Sequence, residues 1–90
     1  MLFHVELSKL AQEQLSGLPK DARKRIERAI DELEQREDSQ WSNVKALQGS
    51  EWKGRYRKRV GPYRIIFRKS PDQGVVEVSA ILLKSKDTYR

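Results

Sequence analysis

Gly54-Arg55-Tyr56-Arg57-Lys58-Arg59-Val60-Gly61-Pro62-Tyr63-Arg64-Ile65-Ile66-Phe67-Arg68 is the stretch on which the fold of this chain turns. Its side chains alternate with a period of two, the repeat of a strand. Arg55, Arg57 and Arg59 fall on one face, with Tyr56, Lys58 and Val60 on the other. Gly61-Pro62 supplies a turn, after which Tyr63, Ile65 and Phe67 alternate with Arg64, Ile66 and Arg68. Ser70-Pro71-Asp72-Gln73-Gly74 is a second turn before Val75 to Leu83, so the spacing predicts a three-stranded antiparallel meander. Lys58 stands where alternation calls for an apolar side chain. Its stem is expected to lie along the sheet while its amine reaches solvent.

Upstream of the meander the pattern is helical. Leu2 to Leu7 has the composition of a short strand, and Ser8 is placed to cap a helix. Leu7, Leu10, Ala11, Gln14, Leu15 and Leu18 recur at spacings of three and four, giving a first helix that ends near Gly17. Pro19 opens a second helix, whose buried stripe is Ala22, Ile26, Ala29, Ile30 and Leu33. The two form an antiparallel helical hairpin. Periodicity is lost at Arg36 to Gln40, and the segment on to Trp52 reads as an ordered loop anchored by Trp41, Val44 and Leu47. The element order is β-α-α-β-β-β. This is an α+β fold with an N-terminal strand and a helical hairpin packed on one face of a twisted sheet, expected as one domain over residues 1–90.

Ninety residues suit a single small core, and the absence of cysteine excludes both a disulfide framework and a thiolate metal site. There is no apolar run of membrane-spanning length, and Met1-Leu2-Phe3-His4-Val5-Glu6 lacks the regions of a signal peptide, so a cytoplasmic location is expected. Residues 1–50 carry eight Lys/Arg against nine Asp/Glu, a balance of −1, whereas residues 51–90 carry eleven against four, a balance of +7. The net +6 therefore sits wholly in the second half, the asymmetry of a face that binds a polyanion.

Alternation aims Arg55, Arg57 and Arg59 at one side of a strand, and Arg64 can join them across the turn. Guanidinium groups so placed repel one another unless an anion lies between them, and a phosphate backbone supplies one. The plainer alternative is an edge strand made basic to prevent sheet-to-sheet pairing. His4, the only histidine, lies on the N-terminal strand, far in sequence from this region, and reads as a packed or surface side chain. Trp41 and Trp52 read as core anchors. Tyr89 can pack a C-terminal tail, stack on a base or act in catalysis. No metal-ligand spacing is present, and no cofactor is expected.

Over nearly its whole length the sequence resembles the RelE/ParE superfamily of toxins from type II toxin–antitoxin modules. The resemblance rests on the initial strand and on the helical hairpin with Leu18-Pro19 at its corner. It extends through Leu47-x-Gly49, Arg57-x-Arg59-Val60-Gly61-x-Tyr63-Arg64 and Lys86-Asp87-x-Tyr89. For RelE-like members it implies metal-free cleavage of messenger RNA in the ribosomal A site, with the ribonucleotide's own 2′-oxygen attacking the adjacent phosphorus. By position, Arg55 and Arg57 match the family's basic pair, Arg64 the arginine after the turn, and Tyr89 its C-terminal tyrosine. Lys84 and Lys86 fall near further basic or histidine positions. Lys53, Arg59 and Arg68 complete the expected nucleic-acid contacts.

One departure changes the assignment of roles. The family's pair includes lysines, which can lose a proton when neighbouring cations depress their pKa, whereas arginine cannot. Arg55, Arg57 and Arg64 are therefore expected to hold phosphate and stabilise charge, leaving proton transfer to Lys84, Lys86 or Tyr89. For ParE-like members the resemblance implies instead inhibition of DNA gyrase without catalysis, and a nucleic-acid-binding module without toxicity could use the same charges. Either toxin implies a cognate antitoxin partner, a segment with an apolar and acidic face that folds on binding.

Overall fold

The structure is a computed structural model and describes residues 1–49 and 54–83. In chain order it comprises β1 (His4–Leu7), α1 (Lys9–Ser16), α2 (Lys20–Gln35), a 3₁₀ turn at Asp38–Gln40, β2 (Val44–Ala46), β3 (Arg55–Val60), β4 (Tyr63–Ser70) and β5 (Val75–Leu83). The five strands form one mixed sheet in the order β1-β5-β4-β3-β2, with β1 parallel to β5 and the other pairs antiparallel. The α+β architecture and the β3-β4-β5 meander are those the residue pattern predicts. The ordered loop is not entirely irregular. Val44, Lys45 and Ala46 pair with Lys58, Arg57 and Tyr56 as a fifth strand, too short for an alternation to declare itself in sequence.

Helix α1 begins and ends on residues suited to it. Ser8 Oγ accepts the Ala11 amide at 3.1 Å, and the Gly17 amide donates to the Glu13 carbonyl at 3.1 Å. Ala11 is fully buried, but Leu10, which the spacing placed on the apolar stripe, is 52% exposed. In so short a helix the residue next to Ala11 is turned 100° away from it, off the sheet. In α2, Ile26, Ala29 and Leu33 are buried against the sheet. They join Phe3, Val5, Ala11, Ile65, Phe67, Val76, Val78 and Ile81 in one cluster. Fully buried side chains such as Ile26, Leu33 and Phe67 are each worth about 1.5–3 kcal/mol. Trp41 anchors the segment after α2, as its size predicts, with its ring 5.6 Å from Phe3 and 5.8 Å from Phe67.

Two irregularities are satisfied by side chains. Pairing of β4 with β5 shifts from Ile66↔Ala80 to Phe67↔Val78, which leaves Ser79 as a bulge. Helix α1 serves it: Ser8 Oγ donates to the Ser79 carbonyl at 2.9 Å, and Gln14 Oε1 accepts the Ile81 amide at 2.6 Å. This explains a glutamine on an otherwise apolar stripe. The outer edge of β1 is closed similarly, with the Val5 amide donating to Glu34 and Gln12 donating to the Leu7 carbonyl, both at 3.0 Å. Among the described residues no helix is long and apolar enough to cross a membrane.

The charges of α2 run against its dipole. Residues 20–28 carry five Lys/Arg and two Asp/Glu, whereas Asp31, Glu32 and Glu34 occupy its C-terminal part and the last turn has no basic residue. Charges so placed cost a few tenths of a kcal/mol each, and packing of the apolar stripe must offset them.

Gly61 closes the β3–β4 hairpin at φ 56°, and a Cβ there would lie 2.5 Å from Nη2 of Arg25, which reaches down from α2. Gly61→Ala is expected to lower stability by about 1–2 kcal/mol through backbone strain alone. Urea unfolding would show this, and adding Arg25→Ala should recover only the steric part of the loss.

Candidate nucleic-acid interface

The register of β3 against β4 decides which side chains share a surface. Tyr56↔Phe67, Lys58↔Ile65 and Val60↔Tyr63 face the helices, while Arg55↔Arg68, Arg57↔Ile66 and Arg59↔Arg64 face away from them. Two pairs of arginines therefore stand directly opposite one another, an arrangement unfavourable by itself. Among the described residues none of the five makes an ion pair. Arg68 is flanked on its other side by Glu77 of β5, so the excess of positive charge lies toward Arg57 and Arg59.

These arginines are not equally accessible. Arg59 and Arg68 are exposed and Arg55 and Arg57 half-buried, whereas Arg64 is only 4% exposed. Nη1 of Arg64 donates to the carbonyls of Tyr63 at 3.1 Å and Gly61 at 3.4 Å, so in this conformation it braces the turn. Its neighbour on the same face, Ile66, is 1% exposed. The open part of the surface is therefore the β2–β3 side. Lys53, Lys84, Lys86 and Tyr89 lie outside the described residues, as does Trp52.

Arg57 and Arg59 line a pocket of about 270 Å³ together with Trp41, Asn43, Val44 and Lys45. Lys45 lies directly opposite Arg57 across the β2–β3 pair, which adds a third cation to the pocket. Sequence reading missed it because it sits in the three-residue strand. The available signal was Ser42-Asn43, a turn-forming pair before Val44. Asn43 adopts φ 59°, a conformation asparagine tolerates better than most residues, and its carbonyl accepts the Arg59 amide at 3.0 Å. Three cations around a polar hollow can hold a phosphate group, with the guanidinium forks giving directional hydrogen bonds and the ammonium a point charge.

The wall of this pocket is tied down from beneath by Lys58. Its amine does not reach solvent: the residue is 3% exposed, and Nζ donates to Glu32 Oε2 at 2.8 Å and to the Ser42 carbonyl at 2.7 Å. Glu32 also accepts the Ser42 amide at 2.9 Å. A buried ammonium needs such partners, and α2 and the segment before β2 provide them. Burial alone would push the Glu32 carboxyl up, but hydrogen bonds from Lys58 and Ser42 outweigh it and hold the group below the usual glutamate range. At the far end of the sheet Lys69 is treated similarly, 3.3 Å from Asp38 and over the rings of Tyr56 and Trp41. His4 is exposed, 3.3 Å from Glu34 and remote from the pocket-lining residues in sheet order.

A two-helix, five-stranded mixed sheet bearing a cationic hairpin defines a RelE-like toxin fold. Among solved structures, the chain is similar to the toxin–antitoxin complex RelBE2 from Mycobacterium tuberculosis, with 18% identity, TM-score 0.78, and 93% of this chain and 100% of that one covered. It is similar also to the archaeal RelE–RelB complex from Pyrococcus horikoshii OT3, with 24% identity, TM-score 0.77, and 96% and 99% covered. YafQ from E. coli strain BL21(DE3) aligns with 15% identity, TM-score 0.72, and 91% and 93% covered. Comparison with curated protein sequences finds no match. Residues 5–88 match the family described as ParE toxin of type II toxin–antitoxin system, parDE, and the chain belongs to that family. It is thus a toxin of the RelE/ParE superfamily.

The Lys58 network generates an asymmetric prediction. Glu32→Gln leaves a buried ammonium without its counter-charge and should cost about 1–3 kcal/mol. Lys58→Met should cost less, because Glu32 is 23% exposed and keeps Ser42. A carboxylate whose folded pKa lies below its unfolded one stabilises fully above the unfolded value, about 4.3, and loses that contribution as pH falls through the folded value. The stability gap between wild type and Lys58→Met should therefore narrow in acid, as read by urea unfolding at a series of pH values.

Proposed function

We propose that this toxin is a RelE-like endoribonuclease that cuts messenger RNA on the ribosome in the cytoplasm. The observation that carries the reading is the outward cluster of Lys45, Arg57 and Arg59 around one pocket, without an acidic partner among the described residues. A surface meant only to bind a folded protein has no need to hold like charges together. A phosphate between them removes the repulsion.

In the proposed reaction a base takes the proton of the 2′-hydroxyl, the 2′-oxygen forms a bond to the adjacent phosphorus, and the bond from phosphorus to the 5′-oxygen breaks. The departing oxygen takes a proton, leaving a 2′,3′-cyclic phosphate and a 5′-hydroxyl. Arg55 and Arg57, with Lys45 and Arg59 beside them, hold the scissile phosphate and stabilise its developing charge. Arg64 keeps the hairpin in shape and offers further donors at its turn. Lys84, Lys86 or Tyr89 supplies the proton transfers, with Lys53 and Arg68 as outlying contacts to the RNA. The charge stabilisation comes from these side chains without a metal ion. Because the similar structures from M. tuberculosis and P. horikoshii are toxin–antitoxin complexes, a cognate antitoxin is proposed as the restraining partner here too.

The family match to ParE toxins supports a second reading, inhibition of DNA gyrase without catalysis. Primer extension on mRNA after brief induction separates the two, since codon-phased cuts arise only under the first, and a supercoiling assay with purified gyrase detects the second. Under the first reading Arg57→Ala should slow single-turnover cleavage on programmed ribosomes by about 10²- to 10³-fold. Replacing Lys84 and Lys86 together by methionine should slow it as well. An unchanged rate in the double variant would assign the base to Tyr89.

A further inference from the structure

We infer that the first half of α2 is a second RNA-backbone anchor, continuous with the hairpin surface but separate from the cleavage pocket. This rests on the RNA-directed reading above. Lys20, Lys24 and Arg28 repeat at intervals of four residues and are all exposed, which sets three cations in a row about 6 Å apart along the helix. Arg25, also exposed, lies against Gly61 and carries the row to the β3–β4 turn, beyond which Arg59 is exposed. Arg23 is half-buried beside them. Among the described residues none of these five makes an ion pair, although Asp21 and Glu27 stand on the same helix.

Helix stability does not account for this arrangement, because cations near an N-terminus oppose the dipole and acids at the other end oppose it again. Solvation does not account for it either, since interspersing the same charges would serve equally well. A strand of phosphates does account for it, as successive cations along one line neutralise successive phosphates and release their counterions. An acidic protein segment fits less well. Between Lys20 and Arg28 the apolar side chains Ala22 and Ile26 turn inward, so the outward stripe offers no apolar anchor to a partner helix. The ligand is therefore the sugar-phosphate backbone of an RNA segment held outside the pocket, read by charge rather than by base.

The test compares the full-length wild type with Lys20→Gln/Lys24→Gln/Arg28→Gln, using a fully 2′-O-methylated, hence uncleavable, RNA stem-loop across a series of KCl concentrations. The triple variant should bind about 10- to 100-fold more weakly at low salt, and its log–log salt slope should be shallower by about 2 to 3. The charge-preserving Lys20→Arg/Lys24→Arg/Arg28→Lys variant should restore both, which separates charge from folding. Wild-type affinity and slope in the triple variant would overturn the inference, as would a triple variant that binds RNA normally but loses affinity for the antitoxin. If wild type binds the stem-loop and the triple variant does not, while neither cuts mRNA, the anchor stands and the nuclease reading falls. If wild type binds no RNA in this assay, the anchor falls, and the nuclease reading is decided by primer extension alone.

Discussion

The hairpin of β3 and β4 allows only one register, and the surface follows from it. Side chains alternate across the sheet, so a slip of β4 by one residue would send Arg64 and Arg68 toward the core and expose Phe67 and Ile65. Two features prevent that slip. Gly61 takes up the left-handed backbone the turn requires, with Arg25 packed over it. Lys58 is the more unusual feature, because it is the one charged residue of β3 on the inner face and it reaches a partner only in the observed register. Its bonds to Glu32 and Ser42 join strand, helix and the approach to β2, so the core and the wall of the pocket are fixed by the same contact.

On the other face of those strands, arginines oppose one another, with Glu77 beside Arg68 as the one acid paired to them in the sheet among the described residues. Arg55 faces Arg68, Arg59 faces Arg64, and Lys45 approaches Arg57 from the edge. Each such juxtaposition costs stability in the isolated chain. On the proposed reading the cost is returned when a polyanion binds, and part of the binding energy is relief of repulsion already present in the fold. The inferred anchor on α2 would work in the same way, with charges set against the helix dipole instead of against one another.

Much of this was legible in the residues. The period-two run from Gly54 and the turn at Gly61-Pro62 declared the hairpin, the spacing of Ile26, Ala29 and Leu33 declared α2, and Ser8 its neighbour's cap. Legibility ended where elements were shorter than their own period. Val44 to Ala46 became a strand only through pairing, which hid Lys45 from any reading of one segment alone. Lys58 was misread for a related reason: alternation says which face a side chain takes but not whether a carboxylate waits there, and Glu32 lies 26 residues away. Gln14 likewise owes its place on an apolar stripe to a partner far away in sequence, the Ile81 amide beside the bulge at Ser79.

The two borders of the sheet are each blunted. Along β1, Glu34 and Gln12 occupy backbone groups that another strand would need. Along the opposite border β2 is three residues long and carries a lysine. A strand-rich chain is always open to templated growth, in which one molecule extends the sheet of the next. Here the described borders give such growth one side already occupied and another too brief to hold a register, so the sheet is built to end with the molecule that makes it.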